Sequence, residues 1–394
     1  MLDQSIATNA SQAITWSEEQ FEAHLDEIRS RRQEFNDKRH ISKDVIEAWQ
    51  DMGLFRAFVP GRLGGSNMPA DAFLRYIERI SEADGSAGWV ASFAFATKYL
   101  SALPVSTLEE LYSGSPDLVF AGALFPLQQA ERVDGGVRVS GRWKFGSGCL
   151  GASVIGVGVM VKDGDFGGLP LMAVLPAEKV RIEETWDTIG MAGTGSHDLV
   201  VEDQFVPDEY LMVRGAAPSI DDAGYRYPSL AMAAQVLAIT GAGSARAAIN
   251  HILNVADRSK SITGAPTLGD RENVQMQLAE AEAKLESARC WFYDRTREAW
   301  ATTEAGETVS RDLNMQLRLS SSHLARTGAD VARMCFEMAG TMGIFNANPL
   351  SRFLTDAMVV AQHAFLTQGT FMNAGKVMVG HDYIPGYDEA AAQS

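Results

Sequence analysis

The stretch Gly190–Pro207 has the sequence GMAGTGSHDLVVEDQFVP, a glycine-rich turn that leads into an apolar run over Asp198–Phe205. Short runs that are rich in β-branched residues or punctuated by glycine precede it. They are Val119–Leu124, Gly136–Phe145, Ser153–Val161 and Leu169–Leu175. Turn residues separate these runs, and this spacing is typical of an antiparallel sheet or barrel. The sequence therefore predicts a small β-domain in the middle of the chain.

Helical patterns flank this β-domain on both sides. Before it, apolar residues recur at helical spacing from about Ser17 to Ser113, and Ser42 is the predicted N-cap of one helix. After it, four long stretches predict a helix bundle. They are Leu230–Ala256, Arg271–Ala301, Arg311–Ala339 and Arg352–Gly380. The predicted fold class is α+β, mainly α, with an N-terminal helical domain (1–115), a central β-domain (116–215) and a C-terminal four-helix bundle (216–394).

The composition limits the possible functions. A chain of 394 residues with 46% hydrophobic and 21% charged residues is expected to form two or three ordinary globular domains. The net charge of −16 argues against a nucleic-acid surface, because phosphate contacts need clustered lysine and arginine. An anionic small substrate remains compatible with this charge, since a local basic pocket can lie within an acidic protein.

The sequence lacks the patterns of several kinds of site. The three cysteines, Cys149, Cys290 and Cys335, form no CxxC pair, which argues against a disulfide framework and a cysteine-rich zinc site. Isolated histidines predict no metal site, and no GxGxxG or P-loop string predicts a nucleotide-binding βαβ unit. The sequence also shows no secretory signal and no run of eighteen apolar residues, so we expect a cytoplasmic protein without a membrane span.

Local strings, in their order and spacing, resemble the acyl-CoA dehydrogenase superfamily. The strings are Ile46–Gly65, Trp143–Gly148 (WKFGSG), Gly190–Pro207, Gly340–Phe345 (GTMGIF) and Arg352–Asp356 (RFLTD). The resemblance covers the chain from about Phe21 to Gly380. Within the superfamily, Asp84–Val90 (DGSAGWV), the Trp186…Gly190…Thr194-Gly195-Ser196 pattern and His363 are similar to the flavin-dependent monooxygenase branch, the oxygenase components of two-component systems.

The resemblance implies a monooxygenase that uses O2 and reduced flavin, either FADH2 or FMNH2, supplied by a separate NAD(P)H:flavin reductase. Its substrate would be a small aromatic or heteroaromatic molecule, with indole-3-acetate or another indole first and a substituted phenol second. The reaction would pass through a flavin C4a-hydroperoxide. The resemblance also implies a homotetramer, a dimer of dimers.

A dehydrogenase that oxidises an acyl thioester is the alternative. Dehydrogenases of this superfamily with a C-terminal catalytic glutamate carry it where this chain has His363 and Ala364. Abstraction of a proton next to a thioester carbonyl needs a nearby carboxylate, and this segment supplies none. The monooxygenase is therefore the favoured prediction. Arg352 and Asp356, four residues apart on one helix face, are predicted to form a structural ion pair.

The resemblance assigns catalytic roles to two residues. Ser147 would face the N5/O4 edge of the flavin, and His363 would act as a base on the substrate or hold the distal peroxide oxygen by a hydrogen bond. Trp143 and Phe145 would line the flavin ring, although aromatic residues on a strand are also typical of a core. Each of these residues has a simpler alternative as a turn or packing residue.

Further residues are assigned to the flavin and the substrate. Arg258 would bind the flavin phosphates of a neighbouring subunit, Gly340 and Gly343 would let the backbone approach the cofactor, and Thr194 and Ser196 would bond the flavin or form a turn. The expected substrate-binding residues are Trp89, Thr97, Lys98 and Phe365. Thr97 lies near the place where phenol-hydroxylating relatives carry a second histidine, and this favours an indole over a phenol. Lys98 is a candidate partner for a substrate carboxylate.

Overall fold

The N-terminal third of the chain is helical. The structure is a computed structural model that describes residues 14–161, 170–213, 215–257, 264 and 266–381. Its first helices are α1 (Glu18–Ser30), α2 (Arg32–Lys38), α3 (Lys43–Met52), α4 (Ala70–Ala83), α5 (Gly85–Ser92) and α6 (Val105–Leu111), with a 3-10 segment at Phe93–Ala102 between the last two. Ser42 is the N-cap residue of α3, as predicted, although its hydroxyl donates to Glu34 and makes no capping bond.

A mixed sheet follows. Its strands in the described residues are β1 (Phe120–Val133), β2 (Gly136–Gly146), β3 (Val154–Val161), β4 (Leu171–Pro176), β5 (Arg181–Glu183), β6 (His197–Pro207) and β7 (Leu211–Val213). They are hydrogen-bonded in the order β5-β6-β2-β1-β3-β4-β7. The purely antiparallel prediction is wrong at one pair, because β1 and β3 run parallel from the Phe120–Val154 pair onwards. The loop after β2 carries the chain back to the start of β1, where Ser153 N–H donates to Val119 O.

The C-terminal helices are α7 (Ala223–Arg226), α8 (Ser229–Val255), α9 (Glu272–Glu304), α10 (Arg311–Ala339), α11 (Leu350–Val360) and α12 (Gln368–Met378). The central helix α8 is rich in alanine and glycine, so its neighbours approach closely. A Cβ added at Gly328 on α10 would lie 2.8 Å from Gly241 O on α8, and one added at Gly243 would lie 2.5 Å from the Ser81 Cβ on α4. These small residues bring the N-terminal helices and the C-terminal helices into one core.

The predicted helix Arg352–Gly380 is wrong as a single element, because it is divided into α11 and α12. His363 lies in the break with extended backbone angles, φ −62° and ψ 141°. Its ring Nδ1 accepts a hydrogen bond from the Phe365 N–H at 3.3 Å, which provides a local cap for the next turn. None of the helices in the described part of the chain combines the length and the apolar character that a membrane crossing needs.

Candidate active site

Three parts of the fold meet around Trp89, which lies on α5. Its indole Nε1 is 3.2 Å from the Oγ of Ser147, the residue that directly follows β2. On the other side, the Trp89 ring packs edge-on against the His363 ring, with 5.8 Å between their centroids. The His363 ring in turn contacts Phe365, with centroids 5.1 Å apart. The structure therefore brings together four of the residues expected in the site from sequence.

Hydroxyl groups continue from Ser147 into the turn before β6. Ser147 Oγ lies 2.6 Å from Ser196 Oγ, and Ser196 Oγ lies 2.7 Å from Thr194 Oγ1. Thr194 Oγ1 is 2.9 Å from the carbonyl oxygen of Met191. All of these side chains are buried. We call the series from Trp89 through Ser147, Ser196 and Thr194 to the Met191 carbonyl the hydroxyl chain.

His363 carries no charge in this position at neutral pH. Burial, which disfavours the charged imidazolium, lowers the pKa of His363 to about 4. Because Nδ1 accepts the Phe365 N–H, the proton of the neutral ring must be on Nε2. His363 therefore presents an N–H donor at Nε2.

An aromatic pair with one exposed member, Phe145, lies next to Ser147. Phe145 is 65% exposed and packs edge-on against Trp186, with ring centroids 6.1 Å apart. Its φ of 67° is unusual for a bulky residue and costs on the order of 1–3 kcal/mol, which the surrounding structure must offset. An accessible apolar surface beside a polar edge of hydroxyls matches the two characters of a flavin ring system. The residues present thus fit the cofactor that the resemblance implies.

A layer of charged groups supports these residues. Asp84 caps α5 by accepting the Ala87 N–H at 2.9 Å, and its other oxygen accepts from Arg352 Nη2 at 2.6 Å. Asp356, on α11, accepts the Met191 N–H at 2.5 Å and lies 3.8 Å from Arg352 Nε. We call Asp84, Arg352, Asp356 and Met191 the anchoring layer.

Asp356 is buried, and its pKa is raised to about 6. Burial is the main cause, the positive charge of Arg352 opposes the rise, and the negative charge of Asp84 adds to it. The close approach of the Met191 turn to α11 depends on a glycine, since a Cβ added at Gly190 would lie 2.5 Å from the Thr355 carbonyl. The GMAG string of the sequence is therefore held against α11, the helix that leads to His363.

Other expected residues are hydrogen-bonded to backbone carbonyl groups. Trp143 is fully buried in the β-sheet core, where its indole N–H donates to Gly158 O at 2.8 Å. Thr97 is also fully buried, with Oγ1 3.4 Å from Ala94 O. The Lys98 ammonium donates to Gly224 O at 3.1 Å and to Tyr225 O at 2.5 Å, and burial lowers its pKa to about 7. Trp143 and Lys98 thus have hydrogen-bond partners within this chain, and the cofactor and substrate roles expected of them stay predictions.

Three residues are expected to act between subunits. Gly340 and Gly343 lie in a 3-10 turn that follows α10, and Gly340 has a φ of 57°. Arg258 lies outside the described residues. The subunit contacts expected for these positions stay predictions.

The sequence did not indicate the roles of Asp84, Met191 and Trp186 in the site. Asp84 precedes α5 as an N-cap type residue, and that local pattern could have identified it. Its partner Arg352 is 268 residues away, so no local pattern reveals the pair. The expected structural pair of Arg352 and Asp356 lies 3.8 Å apart. Among the described residues, no group of three or more His, Cys, Asp or Glu side chains is placed to hold a metal ion.

Comparisons with known proteins identify the family of this chain. A family model described as acyl-CoA dehydrogenase, C-terminal domain, matches residues 235–368. An indole-3-acetate monooxygenase of Pseudomonas putida is 51% identical over 93% of this chain and 95% of its own length. The crystal structure of the 3-HSA hydroxylase from Rhodococcus sp. RHA1 superposes with a TM-score of 0.86 at 26% identity, covering 93% of this chain and 97% of the other.

A further solved structure shares the fold. XiaF from Streptomyces sp., in complex with FADH2 and glycerol, has a TM-score of 0.89 at 20% identity and covers 97% of this chain and 98% of its own. The fold and the site together define a flavoenzyme of the acyl-CoA dehydrogenase type. Within that class, the chain belongs to the family of reduced-flavin-dependent monooxygenases that hydroxylate aromatic compounds.

Proposed function

We propose that this chain hydroxylates indole-3-acetate, or a closely related indole, beside Trp89, Ser147 and His363. The observation that carries the proposal is the position of Trp89. Its indole N–H bonds Ser147 on the side of the β-sheet, and its ring contacts His363 on the side of the helices. The two residues expected to be catalytic therefore meet at one tryptophan, as a single reaction centre requires.

Ser147 and Phe145 are the residues that would hold the flavin ring system, the hydroxyl at its polar edge and the phenyl ring against its face. Reduced flavin supplies the electrons that activate dioxygen. The protein contributes orientation and the exclusion of water, and the buried side chains of Trp89, Ser196 and Thr194 serve the second purpose.

His363 acts as a hydrogen-bond donor in this proposal. The sequence left open whether it serves as a base or as a donor. With Nδ1 engaged by Phe365 N–H and the ring neutral, Nε2 holds a proton and cannot accept one. Its Nε2–H would hold an oxygen acceptor of the bound reactants in place.

An indole is favoured over a phenol for a related reason. A phenol becomes more reactive when a base removes its proton, whereas an indole ring is nucleophilic without deprotonation. His363 is a donor in this proposal, and the sequence resemblance puts the second histidine of many phenol-hydroxylating relatives near Thr97, which is buried here. The Pseudomonas putida relative at 51% identity is an indole-3-acetate monooxygenase, and this supports the same substrate class.

The proposal includes a separate flavin reductase, a cytoplasmic location and self-association into a tetramer. Large apolar side chains are exposed near the C-terminal helices, as expected for a surface that another copy covers. They include Met342, Ile344, Phe345, Met372 and Met378, each at least 51% exposed. Light scattering of the purified protein would measure the number of copies.

The activity can be tested with the purified chain, a flavin reductase, NADH, and 18O-labelled dioxygen. We expect indole-3-acetate to gain one labelled oxygen atom, detected by mass spectrometry, and a phenol panel to gain less. An acyl-CoA thioester should leave bound oxidised flavin unbleached under anaerobic conditions. Hydrogen peroxide as the only product with every indole and phenol would contradict the hydroxylase, and bleaching by the thioester would support the dehydrogenase.

A further inference from the structure

The hydroxyl chain has a fixed direction of donation. Its first group, the Trp89 indole N–H, can only donate, and its last group, the Met191 carbonyl, can only accept. Between them lie three hydroxyls, and each has one hydrogen. The oxygen–oxygen distances that follow the indole are 2.6 Å from Ser147 to Ser196, 2.7 Å from Ser196 to Thr194, and 2.9 Å from Thr194 to the carbonyl. Each of the three oxygen–oxygen contacts needs one hydrogen, and the three hydroxyls can supply them only if all of them donate in the same direction.

The carbonyl end decides that arrangement. Met191 O also accepts the Trp186 indole N–H at 3.0 Å and the Thr194 backbone N–H at 3.2 Å. Thr194 Oγ1 still donates to it, because two oxygens 2.9 Å apart with no hydrogen between them would repel each other. Thr194 can then only accept from Ser196, and Ser196 can only accept from Ser147. The hydrogen of Ser147 therefore points away from the ligand side, towards Ser196.

One lone pair of the Ser147 oxygen remains without a hydrogen bond. A serine oxygen has two lone pairs, and the Trp89 N–H at 3.2 Å occupies one of them. The remaining lone pair can accept a hydrogen bond, while no hydrogen remains to donate one. A ligand atom that meets Ser147 must therefore be a donor.

The two redox states of flavin differ in this property. Reduced flavin carries a hydrogen on N5 and can donate there, whereas the N5 of oxidised flavin has only a lone pair. Two lone pairs facing each other across a buried contact are unfavourable, since neither group recovers the hydrogen bond that it made with water.

We propose that the hydroxyl chain makes this site selective for the redox state of the cofactor, with Ser196 and Thr194 as positioning residues that keep Ser147 an acceptor for the N5–H of reduced flavin. This rests on the proposed function, in which Ser147 faces the flavin N5 edge. Ser196 and Thr194 act through Ser147 and have no role of their own on the substrate.

The test compares dissociation constants for oxidised and for reduced flavin, the latter titrated under anaerobic conditions. In Ser196→Ala the Ser147 hydrogen is released and can turn towards an oxidised N5. We expect the ratio of the oxidised to the reduced dissociation constant to fall by about ten-fold, which corresponds to a midpoint potential of bound flavin about 30 mV lower. Thr194→Val should act in the same direction, and Thr194→Ser should keep the wild-type ratio.

A matched control is Ser92→Ala. Ser92 is also a buried hydroxyl near Trp89, but it donates to the Trp89 carbonyl and is outside the chain. This variant should leave the ratio unchanged. An unchanged ratio in Ser196→Ala, in a variant whose unfolding curve matches that of the wild type, would overturn the inference. Failure of the wild type to bind flavin in either state would instead contradict the proposed function, so the two failures are distinguishable.

Discussion

The anchoring layer and the residues that face the ligand differ in how fully their polar groups are bonded. Asp84 and Asp356 each have bonds to a backbone N–H, and Arg352 lies between the two carboxylates. Ser147 and His363, by contrast, each retain one bonding position that no described residue fills, a lone pair on Oγ and a hydrogen on Nε2. The bonded groups hold the backbone in place, and the free ones are available to bind.

The two sets share the same segments of chain. Asp84 caps the helix that carries Trp89, and Asp356 lies on the helix that leads to His363. Asp356 also holds Met191, whose carbonyl ends the hydroxyl chain. Variants in the first set should therefore change stability, and variants in the second set should change binding and product formation with little loss of stability.

The largest effect is expected for Arg352→Ala. This change leaves Asp84 and Asp356 buried without their cationic partner, and we expect the free energy of unfolding to fall by about 3–5 kcal/mol. Urea denaturation followed by tryptophan fluorescence measures it. Arg62→Ala is the control, because its pair with Glu109 is half-exposed on both sides and should contribute about 0–1 kcal/mol. Equal losses in the two variants would refute the anchoring role.

The next effect concerns His363 and separates the donor role from that of a base. In His363→Leu we expect the yield of hydroxylated product per flavin oxidised to fall by about 10- to 100-fold, with hydrogen peroxide formed instead. His363→Gln keeps an N–H donor but no base of useful strength, and it should retain most of the yield. If glutamine were as poor as leucine, the imidazole would have a role that a donor cannot replace.

The sequence predicted the parts of this site that depend on local pattern. The glycine-rich turn keeps Thr194 and Ser196 close together, because the residues of one turn stay together in any fold. Ser147 comes next to Ser196 through the pairing of β2 with β6. Hydrophobic periodicity alone missed the break at His363, since the apolar pattern continues through it and the break involves a ring nitrogen that caps the Phe365 N–H. That interaction has no signature in hydrophobic periodicity.

Contacts between segments that are distant in sequence could not be predicted from local patterns either. The parallel pairing of β1 with β3 requires the loop after β2 to return the chain to the start of β1. The interior position of Lys98 depends on carbonyl groups of Gly224 and Tyr225, more than a hundred residues later. A lysine is usually solvated, so its burial could not be predicted from the residue itself.

A third prediction uses the opposite pKa shifts of Asp356 and His363. The folded pKa of Asp356, about 6, is above its ordinary value of 3.8, so the stability contributed by its protonated form is lost as the pH rises through 6. The folded pKa of His363, about 4, is below 6.5, so its contribution is present above pH 6.5 and is lost as the pH falls towards 4.

Difference curves between pH 4 and 7 would resolve the two groups. The stability of the wild type relative to Asp356→Asn should decrease with rising pH, by about 3 kcal/mol at most. Relative to His363→Gln it should increase with rising pH, by about 3 kcal/mol at most. Denaturant unfolding at each pH gives both curves. If stability changed with pH in the same direction in both difference curves, the pKa values of Asp356 and His363 would not be shifted in opposite directions.

The smallest effect is expected for Trp89→Phe, which removes one donor from the hydroxyl chain and keeps an aromatic ring beside His363. The loss of this bond should lower stability by about 0.5–1.5 kcal/mol. Because the Met191 carbonyl alone fixes the direction of donation, Ser147 still points its hydrogen at Ser196. The ratio of oxidised to reduced flavin dissociation constants should therefore stay within about two-fold of the wild type. A large change in that ratio would mean that the indole end, and not the carbonyl end, sets the direction of the chain.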